Sequence, residues 1–447
     1  MGLGTGLGHY IPLVAYLGFW VVSIIALRRP LWGFYYLIPF IPYRTMRDHF
    51  LEYPLGGQLF TILVISIIVG SLIAGKRLPK SKLYLIWFVT AIYLYISMWY
   101  GTALGNAPAP FWFSNENFVT WKDYLLIPMI FVAASLVIDD RKSIRTLIIL
   151  IAIAVIFIDR SAILESMSRS FAHFDESKRE GGPLGWAGPN GLAAFLTEFA
   201  MFFWGFAQYV KTKRYKWFAY ALVGITLFAT MYTFSRASYI AVLLTAAVLG
   251  IIKNRKLLLL LGAFALTWQT IVPVAVTERI NMTENSNGQL EQSANTRVKL
   301  WEEARDSMLS NPVLGTGFDT YRYGVHAGGL QDTHNWYVKV MVETGIVGIV
   351  LVLIMLQQML SLSYRLFRTA TDPLYQGLGL GLFLAIIACI ILNCFGDRWN
   401  FPEIIGLLWV LLAAGLRAME LQASSSTESV GVTTEREVVG NPYLMYR

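Results

Sequence analysis

The sequence predicts an all-α polytopic membrane protein, and three observations carry that prediction. Of 447 residues, 56% are hydrophobic and 14% charged, with a mean hydropathy of +0.53, which leaves too few charges to cover a water-soluble globule of this length. Apolar stretches close to the roughly 20 residues a helix needs to cross a bilayer recur along the chain. Lys and Arg return at alternate loops, as they do where cytoplasmic loops retain them. The formal net charge of +8 is therefore read as topology. No nucleic-acid-binding module is present, and no nucleic acid is expected as a partner.

Taken in order, candidate spans lie near 10–27, 58–75, 83–101, 121–138, 143–158, 187–210, 217–234, 237–252, 257–275, 336–361, 375–395 and 400–417. The first is read as a retained span, because Met1 to Tyr10 carries no basic region ahead of it. A thirteenth segment, about 31–43, is short and broken by Pro39 and Pro42. The basic sets Arg28/Arg29, Lys76/Arg77/Lys80/Lys82, Arg141/Lys142/Arg145, Lys211/Lys213/Arg214/Lys216, Lys253/Arg255/Lys256 and Arg365/Arg368 alternate only if that segment also crosses. The expected topology is thus 12 or 13 spans, with the N-terminus outside and the C-terminus inside. Residues 1–420 form the membrane domain. A large, partly helical outer loop, 276–335, is inserted in it, and 421–447, rich in Ser, Thr, Glu and Val, is expected as a disordered cytoplasmic tail. The outer loops 159–186 and 276–335 exceed the length of ordinary connections, which points to function.

Several motifs point nowhere. Gly70-Ser-Leu-Ile-Ala-Gly75-Lys76-Arg77 resembles a phosphate-binding loop until Arg77 replaces the Ser or Thr that would hold magnesium. No pair of aspartates one residue apart exists to hold a metal for a sugar nucleotide. Cys389 and Cys394 lie five apart on one apolar helix and point in different directions, so neither a disulfide nor a metal site is expected.

The outer segments carry more. Along 295–308, Arg297, Leu300, Trp301, Ala304 and Met308 fall on one helical face. Arg297 then sits in the first turn, where a cation opposes the helix dipole unless an anion binds; pairing with a carboxylate such as Glu278 is the alternative. Arg236, in Tyr232-Thr-Phe-Ser235-Arg236, lies at an outer helix end against the inside bias. A guanidinium there suits bidentate contact with phosphate; a salt bridge or a lipid headgroup contact is the alternative. In Asp332-Thr333-His334-Asn335, Thr333 or Asp332 can cap the following helix and leave His334 in its first turn, where a neutral imidazole is favoured. Lys339 and Glu343 can pair across one turn, and Gly345 and Gly348 permit close approach. Glu198, inside a span that begins Gly188-Pro189-Asn190, needs a partner. Asp397 and Arg398 share the last outer turn, where they can pair locally.

His334-Asn335, nine residues, then Gly345-Ile-Val-Gly348 resembles the signature of the O-antigen ligases, whose superfamily also holds O-antigen polymerases and O-linked oligosaccharyltransferases. Gly188-Pro189-Asn190, Ser235-Arg236, Arg297 with Trp301, and Asn311-Pro-Val-Leu-Gly315-Thr-Gly317 resemble its other landmarks in order. The resemblance spans about 186–400 and implies a GT-C-like fold in a bacterial inner membrane. It implies inverting, metal-independent transfer, with no cofactor, of a glycan from undecaprenyl diphosphate to a hydroxyl on lipid A-core or a similar acceptor at the periplasmic face. By position His334 would be the general base, Arg236 and Arg297 the diphosphate ligands, and Asn190, Asn335 and Asp397 supporting residues. The ligases usually have about 12 spans with both ends inside, which this N-terminus does not follow. Polymerase and protein-glycosylating relatives need the same donor site. A lipid-linked glycan flippase would instead line a pathway with charges at mid-membrane.

Overall fold

In a computed structural model, the described residues are 11–111, 115–167, 173–179, 181–282, 292–324, 326, 329 and 331–440. Among them the chain is helical and contains no strand. The helices are α1 Ile11–Ala26, α2 Pro30–Leu37, α3 Arg44–Phe50, α4 Leu59–Ile73, α5 Lys82–Ala103, α6 Glu116–Val137, α7 Arg141–Ser166, α8 Gly188–Ala207, α9 Lys213–Met231, α10 Arg236–Ile252, α11 Lys256–Ile271, α12 Val274–Asn281, α13 Gln292–Ser310, α14 Trp336–Thr369, α15 Pro373–Asn393 and α16 Pro402–Gly440.

Each of the twelve candidate spans coincides with a helix. Among the described residues seven are long and apolar enough to cross a membrane, or eight if α11 and α12, bent by 104°, count as one span. The count is below 12 or 13 for identifiable reasons. α1 and α10 are apolar but short, α8 opens Gly-Pro-Asn-Gly and carries Glu198, and α9 opens on Lys213, Arg214 and Lys216. The chain is a multi-pass membrane protein. Its proline-broken segment runs beside α1 and α4. Gly33 lies against Ala26 and Ile67, whereas Phe40 and Phe60 both contact Phe19 at ring distances of 5.2 and 5.0 Å.

The centre is α8, apolar on all sides apart from Asn190, Thr197 and Glu198 and buried almost throughout, as a helix enclosed by others must be. It packs between α9, α10 and α15. Gly205 and Gly381 let α8 and α15 meet backbone to backbone, since a Cβ on Gly205 would lie 2.8 Å from Gly381. No residue of α11 is buried, so its surface is left to lipid. Gly70, from the phosphate-loop lookalike, packs against the Ala26–Leu27 backbone.

The basic loops gather at one end. Lys76 pairs with Asp139 and Arg141 with Asp372. Arg417 donates to the Ser135 and Arg77 carbonyls, and Lys253 donates to Tyr209. The α16 backbone stays helical to Gly440, through most of the segment expected as a tail, because extending an existing helix requires no new nucleus. Residues 441–447 lie outside the described part.

Candidate active site

At the opposite end α14 is broken, and the break builds the site. Gly345 has φ 61° and ψ −161°, a region open in practice only to glycine. The 311–317 segment fills the gap. Ile346 and Val347 donate their N–H groups to the Pro312 and Val313 carbonyls at 2.9 and 3.3 Å. Thr316 and Gly317 donate theirs to the Val342 and Glu343 carbonyls, both at 2.8 Å. The interrupted ladder is thereby satisfied, as buried backbone requires. A Cβ on Gly315 or Gly345 would overlap the backbone of the other segment, so these two motif glycines permit mutual insertion of loop and helix.

The upper piece of α14 begins at Asn335, whose side chain accepts from Tyr337 N and Val338 N at 3.1 and 3.3 Å. Asn335 is thus the cap, and His334 lies before the helix rather than in its first turn. This corrects the sequence expectation: Thr333 is occupied with Asn335, accepting its N–H and donating to its carbonyl. His334 adopts φ 53°, strained for a residue with a Cβ. Its Nδ1 faces Asp332 Oδ2 at 3.7 Å. Burial holds its pKa below the usual 6.5, with the Arg297 and Arg398 charges adding to the effect and Asp332 opposing it. Desolvation, with those two cations, therefore favours the neutral imidazole at pH 7.

Above this loop lies α13, with Leu300 and Ala304 fully buried and Met308 packed beside Val338 and Val342 of α14. Trp301 Nε1 donates to the Thr333 carbonyl at 3.0 Å, which fixes α13 against the residue preceding His334. The helix starts at Gln292, so Arg297 is in its second turn and the expected first-turn conflict with the dipole does not arise. Glu278 instead accepts from Phe174 N at 2.7 Å and faces His173.

From below, Trp336 and Trp399 stack at 4.7 Å, bringing the α15–α16 turn under His334. Asp397 accepts from Lys339 at 3.1 Å and from Asn400 at 3.0 Å. This cross-helix pair replaces the expected Lys339–Glu343 contact, and Glu343 accepts from Tyr321 N at 3.3 Å. Burial raises the Asp397 carboxyl above its usual range against the pull of Lys339. Arg398 is 4% exposed and donates to the Leu392 carbonyl. Burial pushes its pKa down to about 10, with Glu198 opposing. Glu198 therefore faces a protein charge, Arg398, and the Cys389 thiol. A cavity of about 40 Å³, lined by Lys339, Glu343 and Asn400 among others, is roomy enough for a water.

Asn190 and Arg236 form a second group. Arg236 opens α10 directly after the tight corner Tyr232–Ser235, where Phe234 has φ 56°. Arg179 reaches Asn190 Oδ1 at 2.8 Å and the Thr233 carbonyl at 3.0 Å, so two sequence landmarks meet through a residue the sequence did not single out. Arg398 was legible only as a turn cation, although it breaks the inside bias as Arg236 does. Among the described residues, no three His, Cys, Asp or Glu side chains gather as a metal site would require.

No curated protein matches the chain. Residues 221–353 match the family model described as O-antigen ligase, a stretch that holds Arg236, Arg297, His334 and the break at Gly345. Over this stretch the chain is similar to the O-antigen ligase family.

Proposed function

We propose that the chain transfers a glycan from undecaprenyl diphosphate to an acceptor hydroxyl, on lipid A-core or a comparable carrier, at the periplasmic face of a bacterial inner membrane. The observation that carries this reading is the strained His334, with Asp332 3.7 Å from its Nδ1, at the end of the bundle opposite the basic loops; burial and the charges of Arg297 and Arg398 lower its pKa. The donor's anomeric carbon already bears a leaving group, so the protein must stabilise charge as the C–O bond to diphosphate breaks. Arg236 and Arg297 are assigned that task, in which loss of one such contact costs about 3 to 4 kcal/mol of barrier. His334 takes the acceptor proton, worth roughly 100- to 10,000-fold in rate. Nδ1 is the ring nitrogen nearer Asp332, at 3.7 Å; a proton held there leaves Nε2 to accept that of the hydroxyl. The oxygen so freed attacks the anomeric carbon from the face opposite the diphosphate, which inverts the linkage. Asn335 and Asp397 support the base by fixing the start of α14, and Asn190 supports the corner bearing Arg236.

The test supplies the full chain, in liposomes, with an undecaprenyl-diphosphate glycan and lipid A-core. The expected result is glycan on the acceptor, in the inverted configuration, together with free undecaprenyl diphosphate. Glycan lengthened on the lipid carrier instead would reassign the chain as a polymerase, and donor carried across the bilayer unchanged would refute transfer.

A further inference from the structure

The outer segment 173–179 lies ahead of the family-matched region, yet it is tied into the corner that bears Arg236. Arg179 is 5% exposed at its side chain, and its three guanidinium nitrogens hold its own turn and two other pieces of chain. Nε donates to the Thr233 carbonyl at 3.0 Å, Nη1 to Glu176 at 2.7 Å, and Nη2 to Asn190 at the start of α8 at 2.8 Å. The second Glu176 oxygen takes Arg279 of α12 at 3.3 Å, and that guanidinium lies 4.6 Å over the Phe174 ring. Phe174 in turn packs edge-on against Phe234 at 5.2 Å. The corner needs such support, because Phe234 is left-handed and a strained backbone persists only where its surroundings over-determine it.

With every guanidinium nitrogen so engaged, Arg179 is built to hold protein rather than ligand. We propose that Arg179 is a positioning residue that aims Arg236, through its grip on the Thr233 carbonyl and Asn190, at an anionic group of diphosphate chemistry. The inference rests on the diphosphate role proposed for Arg236. Removing Arg179 leaves the Thr233 carbonyl without its charged donor and lets the corner relax three residues before Arg236. A displacement near 1 Å at a positioned group can cost about 100-fold, and loss of one charged hydrogen bond at least about tenfold.

The experiment titrates undecaprenyl diphosphate into the full chain in lipid nanodiscs, comparing wild type, Arg236→Ala, Arg179→Ala and the double variant. Each single variant is expected to weaken binding at least about tenfold, and the double variant no further than Arg236→Ala alone, because Arg179 acts through Arg236. Losses that simply multiply would overturn the inference, since a merely structural or independent role would give that result. Wild-type affinity in Arg179→Ala, beside a loss in Arg236→Ala, refutes the inference alone. Wild-type affinity in Arg236→Ala refutes the diphosphate role and the inference together. Should Arg179→Ala fail to accumulate, Glu176→Gln loosens the same clamp; a loss of a few-fold is expected, and unchanged affinity overturns the proposal.

Discussion

At the end of the bundle where Lys76, Arg141 and Arg417 lie, cations meet part-exposed carboxylates or the carbonyls of helix ends. At the opposite end Arg279, Asp319, Glu343, Arg398 and Glu403 are buried. Among the described residues, the non-glycine residues with left-handed backbone, Leu55, Phe234, Asp319 and His334, all belong to that second end. Both ends cap the same helices, so the difference is not a requirement of spanning a membrane. Buried charge and strained backbone each cost stability, and their concentration at one end marks where the fold has been shaped by something other than stability.

The largest expected effect separates the ends by activity. His334→Ala should lower transfer about 100- to 10,000-fold while the protein still inserts and unfolds cooperatively, as measured by product formation and by thermal melting in detergent. Next comes the break in α14. Gly345→Ala places a Cβ against the Val313 carbonyl in a backbone region that strains any other residue. It should cost on the order of 3 kcal/mol or more by strain and overpacking together, visible as a large drop in melting temperature.

A third prediction concerns pH. Because the folded His334 pKa lies below 6.5, transfer should be constant above that pH and fall only as pH drops through the lowered value. The sign for stability is the same: the contribution of the neutral imidazole is complete above 6.5 and is lost as pH falls through the folded pKa. Arg297→Gln removes a cation facing the ring, so His334 should titrate closer to 6.5 in that variant, as read by nitrogen NMR of the histidines whether or not the variant is active. The smallest effect belongs to the basic end. Lys76→Ala or Asp139→Ala should change stability by no more than about 1 kcal/mol, as expected for an exposed pair, and leave transfer unaltered. A loss of activity there as large as that of His334→Ala would erase the contrast between the ends.

The helices were legible because lipid imposes a coarse rule, a run of about 20 apolar residues per crossing, and α4 to α7 and α14 to α16 follow it closely. The face of α13 was legible for a similar reason, since Leu300, Ala304 and Met308 repeat at the helical period. The cap of α14 was not. Asp332, Thr333 and Asn335 are all capping residues, and only the backbone turn at His334 decides among them. Nor was the Lys339–Asp397 pair, whose members are 58 residues apart, while Glu343 offered a nearer partner on the same helix. The role of Arg179 was hidden in the same way. Its partners Asn190 and Thr233 meet only once α8 and the α9–α10 corner are packed together.

The most direct measurement of the central claim is transfer by the purified chain, wild type and His334→Ala, in a metal chelator, with undecaprenyl-diphosphate glycan as the donor. The account predicts full wild-type transfer with an inverted linkage and almost none from His334→Ala. Transfer that stops in chelator, or that His334→Ala performs as well as wild type, would contradict it.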